Sequence, residues 1–144
     1  MAVTAALVGS LSLVLPAGGA ETAAVVVELF TSQGCAACRS AEAVAGELAR
    51  RPSVLVLTLP VPYWDYLGWK DTLGSPGSTA RQRAYGRALG QTSIYTPQIV
   101  VNGRTHMAGS NEGAVRRAIE TRADTVEGLT VDLSATYAGE NLVI

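Results

Sequence analysis

Neither charge predominates in this sequence. Eleven lysines and arginines face twelve aspartates and glutamates, for a net charge of −1 at pH 7. No basic face follows from that balance, so nucleic acid is not an expected partner. Arg81, Arg83 and Arg87 come closest to a basic run, and their spacing reads as the solvated side of a helix. Histidine occurs once and cysteine twice, so the thiols supply only half of a tetrahedral metal set. The longest apolar run falls short of the ~20 residues that a membrane-spanning helix needs. Repeats and low-complexity segments are also missing. At 144 residues the chain is expected to form one domain with a core that needs no staples.

The N-terminus is leader-like. Ala5 to Leu15 is almost wholly apolar, Pro16 follows, and small residues at Gly18 and Ala20 suit cleavage after Ala20. The expected organisation is a signal peptide at 1–20, a domain at 23–124 and an incomplete C-terminal β extension at 128–144. The protein is then periplasmic or secreted and meets a membrane only during export. The alternative is a buried N-terminal helix or strand.

Val-rich residues 23–30 predict a buried strand. Thr31-Ser32-Gln33-Gly34 breaks it, and Ala36 to Arg50 reads as a helix with Cys38, Ala41, Ala45 and Leu48 on its apolar face. Ser53 to Leu59 predicts a second buried strand. An irregular stretch from Pro60 to about Gly77 precedes a helix capped by Ser78 or Thr79 and ending near Leu89. Gln98 to Val101 is a third strand, Asn102-Gly103 a tight hairpin turn, and Arg104 to Ala108 the return. Ser110 or Asn111 caps a helix whose apolar face holds Ala114, Val115, Ala118 and Ile119. The result is an α/β fold, a mixed sheet in β-α-β-α-β-β-α order flanked by helices, with two parallel β-α-β connections expected. That is the order of the thioredoxin-like fold. Leu129 to Ala135 and Asn141 to Ile144 suggest a partial β appendage.

Cys35-Ala36-Ala37-Cys38 lies where the first strand gives way to the first helix. A bridge three residues long constrains little chain, so a stapling role explains the pair poorly. A thiol at a helix start meets unpaired N–H groups and the positive end of the macrodipole, and both favour thiolate. Arg39 adds positive charge. The pattern predicts thiol–disulfide exchange, with Cys35 as an accessible nucleophile and Cys38 as the more buried resolving thiol. Two other readings stay open: a metal-binding module for copper or zinc, and a non-catalytic binding domain. No cofactor is implied. The expected partners are a disulfide- or thiol-bearing exported protein or small thiol, and an unknown redox partner.

Other residues gather around this pair. Thr96-Pro97 precedes the third strand, and a cis bond there would set Thr96 beside the dithiol to pair with an extended substrate. Residues 63–69 hold four of the eight aromatics, Tyr63, Trp64, Tyr66 and Trp69. They either wall the dithiol, with Tyr63 and Trp64 gripping substrate, or anchor a long loop. Glu28, inside an apolar strand, either tunes the thiols as a proton shuttle or pairs with an arginine. His106, past the hairpin turn, reads as a surface residue.

Taken together, Val26-Val27-Glu28-Leu29-Phe30-Thr31-Ser32-Gln33-Gly34-Cys35 with Cys38 resembles the opening motif of secreted bacterial thioredoxin-like proteins grouped as domain-of-unknown-function family 1223. Tyr63 to Asp71, Arg81-Gln82 with Tyr85, and Tyr95-Thr96-Pro97-Gln98 with Val101-Asn102-Gly103 resemble its later motifs. The resemblance runs from about Val25 to Ile119. It implies a thioredoxin fold with extra C-terminal β structure and an exported location, and it names no substrate. Two departures stand out. Arg39-Ser40 follow the dithiol where the family usually has prolines. Pro60 and Pro62 stand where it usually has a His and an Asp, so any proton transfer those residues assist in relatives is missing here.

Overall fold

The computed structural model describes residues 25–123, 136–138 and 141–143. The expected leader lies outside them, as do residues 124–135. No described helix is long and apolar enough to cross a membrane.

The elements run β1 (Val25–Thr31), α1 (Cys38–Leu48), β2 (Val54–Pro60), a 3-10 helix (Pro62–Leu67), α2 (Pro76–Ala88), β3 (Gln98–Val101), β4 (Thr105–Ala108), α3 (Glu112–Ala123), β5 (Thr136–Ala138) and β6 (Asn141–Val143). The first four strands form one mixed sheet in the order β2-β1-β3-β4, and β5 and β6 pair separately as an antiparallel ribbon. On one face of the sheet, Val25, Val27 and Leu29 of β1 and Ile99 and Val101 of β3 pack against α1 and α3. On the other, Phe30 and Val100 join Val61, and Tyr63, Trp64 and Tyr85 close over them. The alternation of β1 therefore splits its side chains between two cores, as a strand covered on both faces requires.

Several local expectations hold. Cys38, Ala41, Ala45 and Leu48 are all buried. Asn102 and Gly103 both take positive φ, 48° and 66°, and turn β3 into β4. Asn111 caps α3, its Oδ1 accepting the Ala114 N–H at 3.1 Å.

Four expectations are corrected. Only β1-α1-β2 is a parallel connection; β3 runs antiparallel to β1, with Gln98 opposite Phe30. The chain after α2 returns to the end of the sheet where β1 finishes, guided there by contacts such as Gln82 Nε2 donating to the Tyr95 carbonyl at 2.7 Å. Strand β2 is not buried on both faces. It is the sheet's edge, and Leu55 and Leu57 stay exposed because α1 covers only the face that bears Val54 and Val56. Helix α2 starts earlier than expected, with Ser75 as its cap accepting from Gly77 N–H and Pro76 in the first turn, where a missing N–H costs nothing. Helix α1 starts at Cys38 rather than Ala36, because residues 35–37 form a turn that closes with Cys38 N–H on the Cys35 carbonyl at 3.0 Å.

Candidate functional site

The sheet delivers its central strand to a tight turn. After Thr31, the Cys35 N–H donates to the Ser32 carbonyl at 3.0 Å and the Gly34 N–H to Ser32 Oγ at 3.2 Å. Cys35 and Cys38 are joined by a disulfide with their Cα atoms 5.4 Å apart. No side chain caps α1, and its first turn holds no acidic residue, so the positive end of the helix faces the turn uncompensated. Arg39 is exposed in that first turn. A surface concavity of about 510 Å³ opens here, with Gln33, Cys35, Arg39 and Glu42 in its walls.

The expected accessibility of Cys35 is only partly met. It retains 4% of its surface and Cys38 retains 1%. The aromatic loop packs against the turn that carries Cys35. A Cβ added to Gly34 would sit 3.1 Å from the Trp64 Cβ, so Trp64 lies directly against the residue preceding Cys35. Trp64 Nε1 also donates to Thr96 Oγ1 at 2.7 Å, and the Thr96–Pro97 bond is cis. Trp64 thus ties the dithiol turn to the Thr-Pro turn. Gly109 closes the arrangement from below. A Cβ built there would lie 2.8 Å from the Ala41 Cβ and 3.3 Å from the Pro97 Cβ, and the Gly109 N–H donates to the Pro97 carbonyl at 2.9 Å. Ala41 is one turn along α1 from Cys38, so Cys35, Cys38, Trp64, Thr96 and Pro97 share one end of the sheet.

The aromatic loop divides between the two roles left open for it. Tyr63 is an anchor: it packs on the Phe30 core and its hydroxyl donates to Gln82 Oε1 at 3.2 Å. Burial pushes its pKa up. Tyr66 and Trp69 remain 77% and 61% exposed. The loop is fastened to the dithiol turn by Asp71, a buried carboxylate that sequence reasoning gave no role. Its Oδ2 accepts the Gln33 N–H at 2.9 Å and its Oδ1 the Leu73 N–H at 2.9 Å. Asp65 Oδ1 in turn accepts the Asp71 N–H at 3.1 Å, and Trp69 Nε1 donates to Gln33 Oε1 at 2.8 Å. The signal that pointed to Asp71 was its place in the Tyr63–Asp71 motif.

Glu28 does not join the dithiol. It is 2% exposed and lies on the α2 face of the sheet, whereas α1 packs on the opposite face. Arg81 Nε donates to its Oε1 at 2.5 Å and the Tyr85 hydroxyl donates to its Oε2. The proton-shuttle role is overturned in favour of the arginine pair, because alternation along β1 turns residue 28 away from α1. Arg81 and Tyr85 stand four apart on α2 and reach the same carboxylate, a pairing that only the tertiary fold reveals. His106, on β4, contacts the Tyr95 hydroxyl through Nδ1 at 3.0 Å.

Burial first, and then the bond to Glu28, push the Tyr85 pKa up to about 12. A phenol whose folded pKa lies above its unfolded value of ~10 stabilises fully below that value, and the contribution is lost as pH rises through the folded pKa. Urea unfolding is therefore expected to show stability falling between pH 10 and 12. Solvent screens this half-buried group, so its share of the loss is on the order of 1 kcal/mol. Tyr85→Phe should flatten that part of the slope, and an unchanged slope would contradict the assignment. Burial also raises Tyr63 and Tyr95, which contribute in the same direction.

No curated protein matches the chain. A crystal structure of a protein from Agrobacterium tumefaciens, a structural-genomics target, is similar over 86% of this chain, with 40% sequence identity and a TM-score of 0.75. The chain spans 56% of that relative's length. The family described as Protein of unknown function (DUF1223) matches residues 26–143, reaching well past Ile119 into the β5–β6 ribbon. The chain belongs to that family.

Proposed function

We propose that this protein is an exported thiol–disulfide oxidoreductase with a thioredoxin-like fold, in which Cys35 exchanges with substrate and Cys38 resolves. The observation that carries the proposal is the Cys35–Cys38 bond at the head of α1, beside a concavity that Cys35 borders and Cys38 does not. In the oxidised protein, a substrate thiolate attacks Cys35 Sγ. The Cys35–Cys38 bond breaks and Cys38 leaves as thiolate. A second substrate thiolate then attacks the substrate sulfur of the mixed disulfide and expels Cys35 as thiolate. Two electrons pass from the substrate dithiol to the protein. The reverse sequence reduces a substrate disulfide. The uncapped start of α1 and Arg39 stabilise the Cys35 thiolate. Thr96 offers backbone to an extended substrate. Export fits the chemistry, since a disulfide persists outside the cytosol.

The substrate we favour is a polypeptide. Tyr66, Leu67, Trp69 and Leu73 are exposed on the loop bound to Gln33, a wall of the concavity. Rings and leucines beside a thiol suit the apolar residues of an incompletely folded chain. The metal-binding alternative has less support: among the described residues no group of three His, Cys, Asp or Glu side chains comes together.

The test is turnover in both directions, reduction of insulin disulfides and oxidation of a peptide dithiol. Catalysis in either supports the proposal, and wild-type protein inert in both overturns it.

A further inference from the structure

The outer edge of β2 takes no part in the dithiol chemistry. Natural sheets protect an edge strand with charge, proline or a bulge. Strand β2 carries no charged residue, its register with β1 runs unbroken from Val54 to Pro60, and its one proline stands at its end. Val25 N–H donates to the Ser53 carbonyl and Val61 N–H to the Thr31 carbonyl, both at 2.9 Å. Along a strand the N–H and C=O groups of successive residues point to alternate sides. Ser53, Leu55, Leu57 and Leu59 therefore turn theirs toward β1. Val56 and Thr58 aim theirs outward, and among the described residues no strand lies there. Val54 offers its carbonyl alone, since its N–H donates to the Arg51 carbonyl at 3.0 Å.

Apolar surface flanks this edge on both faces of the sheet. On one, Leu55 and Leu57 are 50% and 39% exposed. On the other, a groove of about 210 Å³ runs between β2 and α1, with Val56, Thr58, Gly46 and Ala49 in its walls. Gly46 sits mid-helix, where glycine is less stable than alanine, and its φ is not positive. Close approach of another element is the remaining reason for glycine. Yet a Cβ built on Gly46 meets nothing within 4 Å. The approach it allows is not made among the described residues. Charge is divided along the same flank. Glu42 shares the groove wall with Thr58, near the end of β2, and Arg50 and Arg51 stand at its start. Both arginines are exposed and without an ion-pair partner among the described residues.

We infer that β2 is a self-association edge, at which a second copy of this chain adds its own β2 antiparallel about a two-fold axis through Val56. Such an axis stands perpendicular to the sheet and keeps each face with its like. Val56 then exchanges both hydrogen bonds with Val56 of the second copy, and each Thr58 N–H donates to the other copy's Val54 carbonyl. Leu55 falls opposite Leu57 of the second copy, which joins four leucines in one cluster. The two α1 helices face each other across Gly46 and Ala49, and their antiparallel run sets Glu42 of each toward Arg50 and Arg51 of the other. Parallel pairing would oppose arginine to arginine. The seven-residue strand is about 23 Å long, which with its flanks falls at the low end of interface sizes. A reversible dimer with micromolar dissociation is therefore expected.

The experiment is sedimentation equilibrium of the purified protein from micromolar to millimolar concentration, paired with hydrogen exchange followed by NMR. A monomer–dimer equilibrium is expected. The Val56 and Thr58 amides should gain protection as the dimer forms, while those of Leu55 and Leu57, already bonded to β1, change little. Leu55→Lys combined with Leu57→Lys places four like charges at the axis and should weaken the dimer at least about tenfold. Gly46→Gln has room in the monomer, so it should raise the melting temperature of the dilute protein while weakening the dimer at least about tenfold. That opposition of effects separates an interface from a fault in folding. If the protein stays monomeric at millimolar concentration, if it dimerises without protecting Val56 and Thr58, or if either variant dimerises as tightly as wild type, the inference is overturned. Protection of those two amides in a monomer would also overturn it, assigning the edge to a segment of the same chain.

Discussion

Replacing Cys38 with serine is expected to turn the protein into a covalent trap. In the reduced variant, the Cys35 thiolate attacks glutathione disulfide, one glutathione leaves as thiolate, and no second thiol remains to expel the other. Intact-protein mass spectrometry should show a stable glutathione adduct. Cys35→Ser should give none, because Cys38, the first residue of α1, is only 1% exposed and out of reach of an incoming disulfide. Turnover should fall by at least about 10³-fold in either variant, since nucleophile and resolving group act as one unit. Stability should change little, because the bridge closes so short a loop. An adduct that forms on Cys38 when Cys35 is absent would reverse the assignment of roles. A lack of adduct in both variants would remove the nucleophile altogether.

That asymmetry was legible in the sequence because it depends on local features: a strand, a break, a helix, and two thiols three residues apart. The Asn102-Gly103 turn and the Asn111 cap were legible for the same reason. What the sequence hid was long-range. Periodicity tells which side of β1 carries Glu28, but not that α2 brings Arg81 and Tyr85 to it. A valine- and leucine-rich run reads alike whether a strand is central or at the edge, so β2 looked buried while Leu55 and Leu57 are not. Strand direction fared likewise: β3 opposes β1 because of where the chain lands after α2, and no residue of β3 encodes that. Asp71 illustrates the intermediate case, a residue inside a motif whose purpose, fastening the aromatic loop to Gln33, needed coordinates.

Gly109 left no trace in any pattern, yet its substitution is expected to have the second large effect. Gly109→Ala should lower stability by about 2–3 kcal/mol, at the upper end of overpacking costs, which corresponds to a drop on the order of 10 °C in melting temperature for a domain of this size. The new methyl would lie 2.8 Å from Ala41 Cβ, closer than carbon atoms tolerate, and 3.3 Å from Pro97 Cβ. Neither neighbour can swing aside: one is a methyl fixed to the α1 backbone and the other belongs to a ring closed on its own backbone. The strain must move either α1 or the Pro97 turn. Because the Gly109 N–H holds the Pro97 carbonyl, the turn moves with it. Disulfide exchange should slow together with the loss of stability, since misplacing a substrate-positioning turn by even ~1 Å costs about a hundredfold in rate. Ala41→Gly removes the nearer clash at the expense of about 1 kcal/mol for glycine within a helix. The double variant Ala41→Gly, Gly109→Ala should therefore recover stability relative to Gly109→Ala alone, a coupling that thermal unfolding of the four-protein cycle measures directly. Additive effects in that cycle, or a single variant that melts and exchanges like wild type, would show that α1 and the Pro97 turn are not held in register through residue 109.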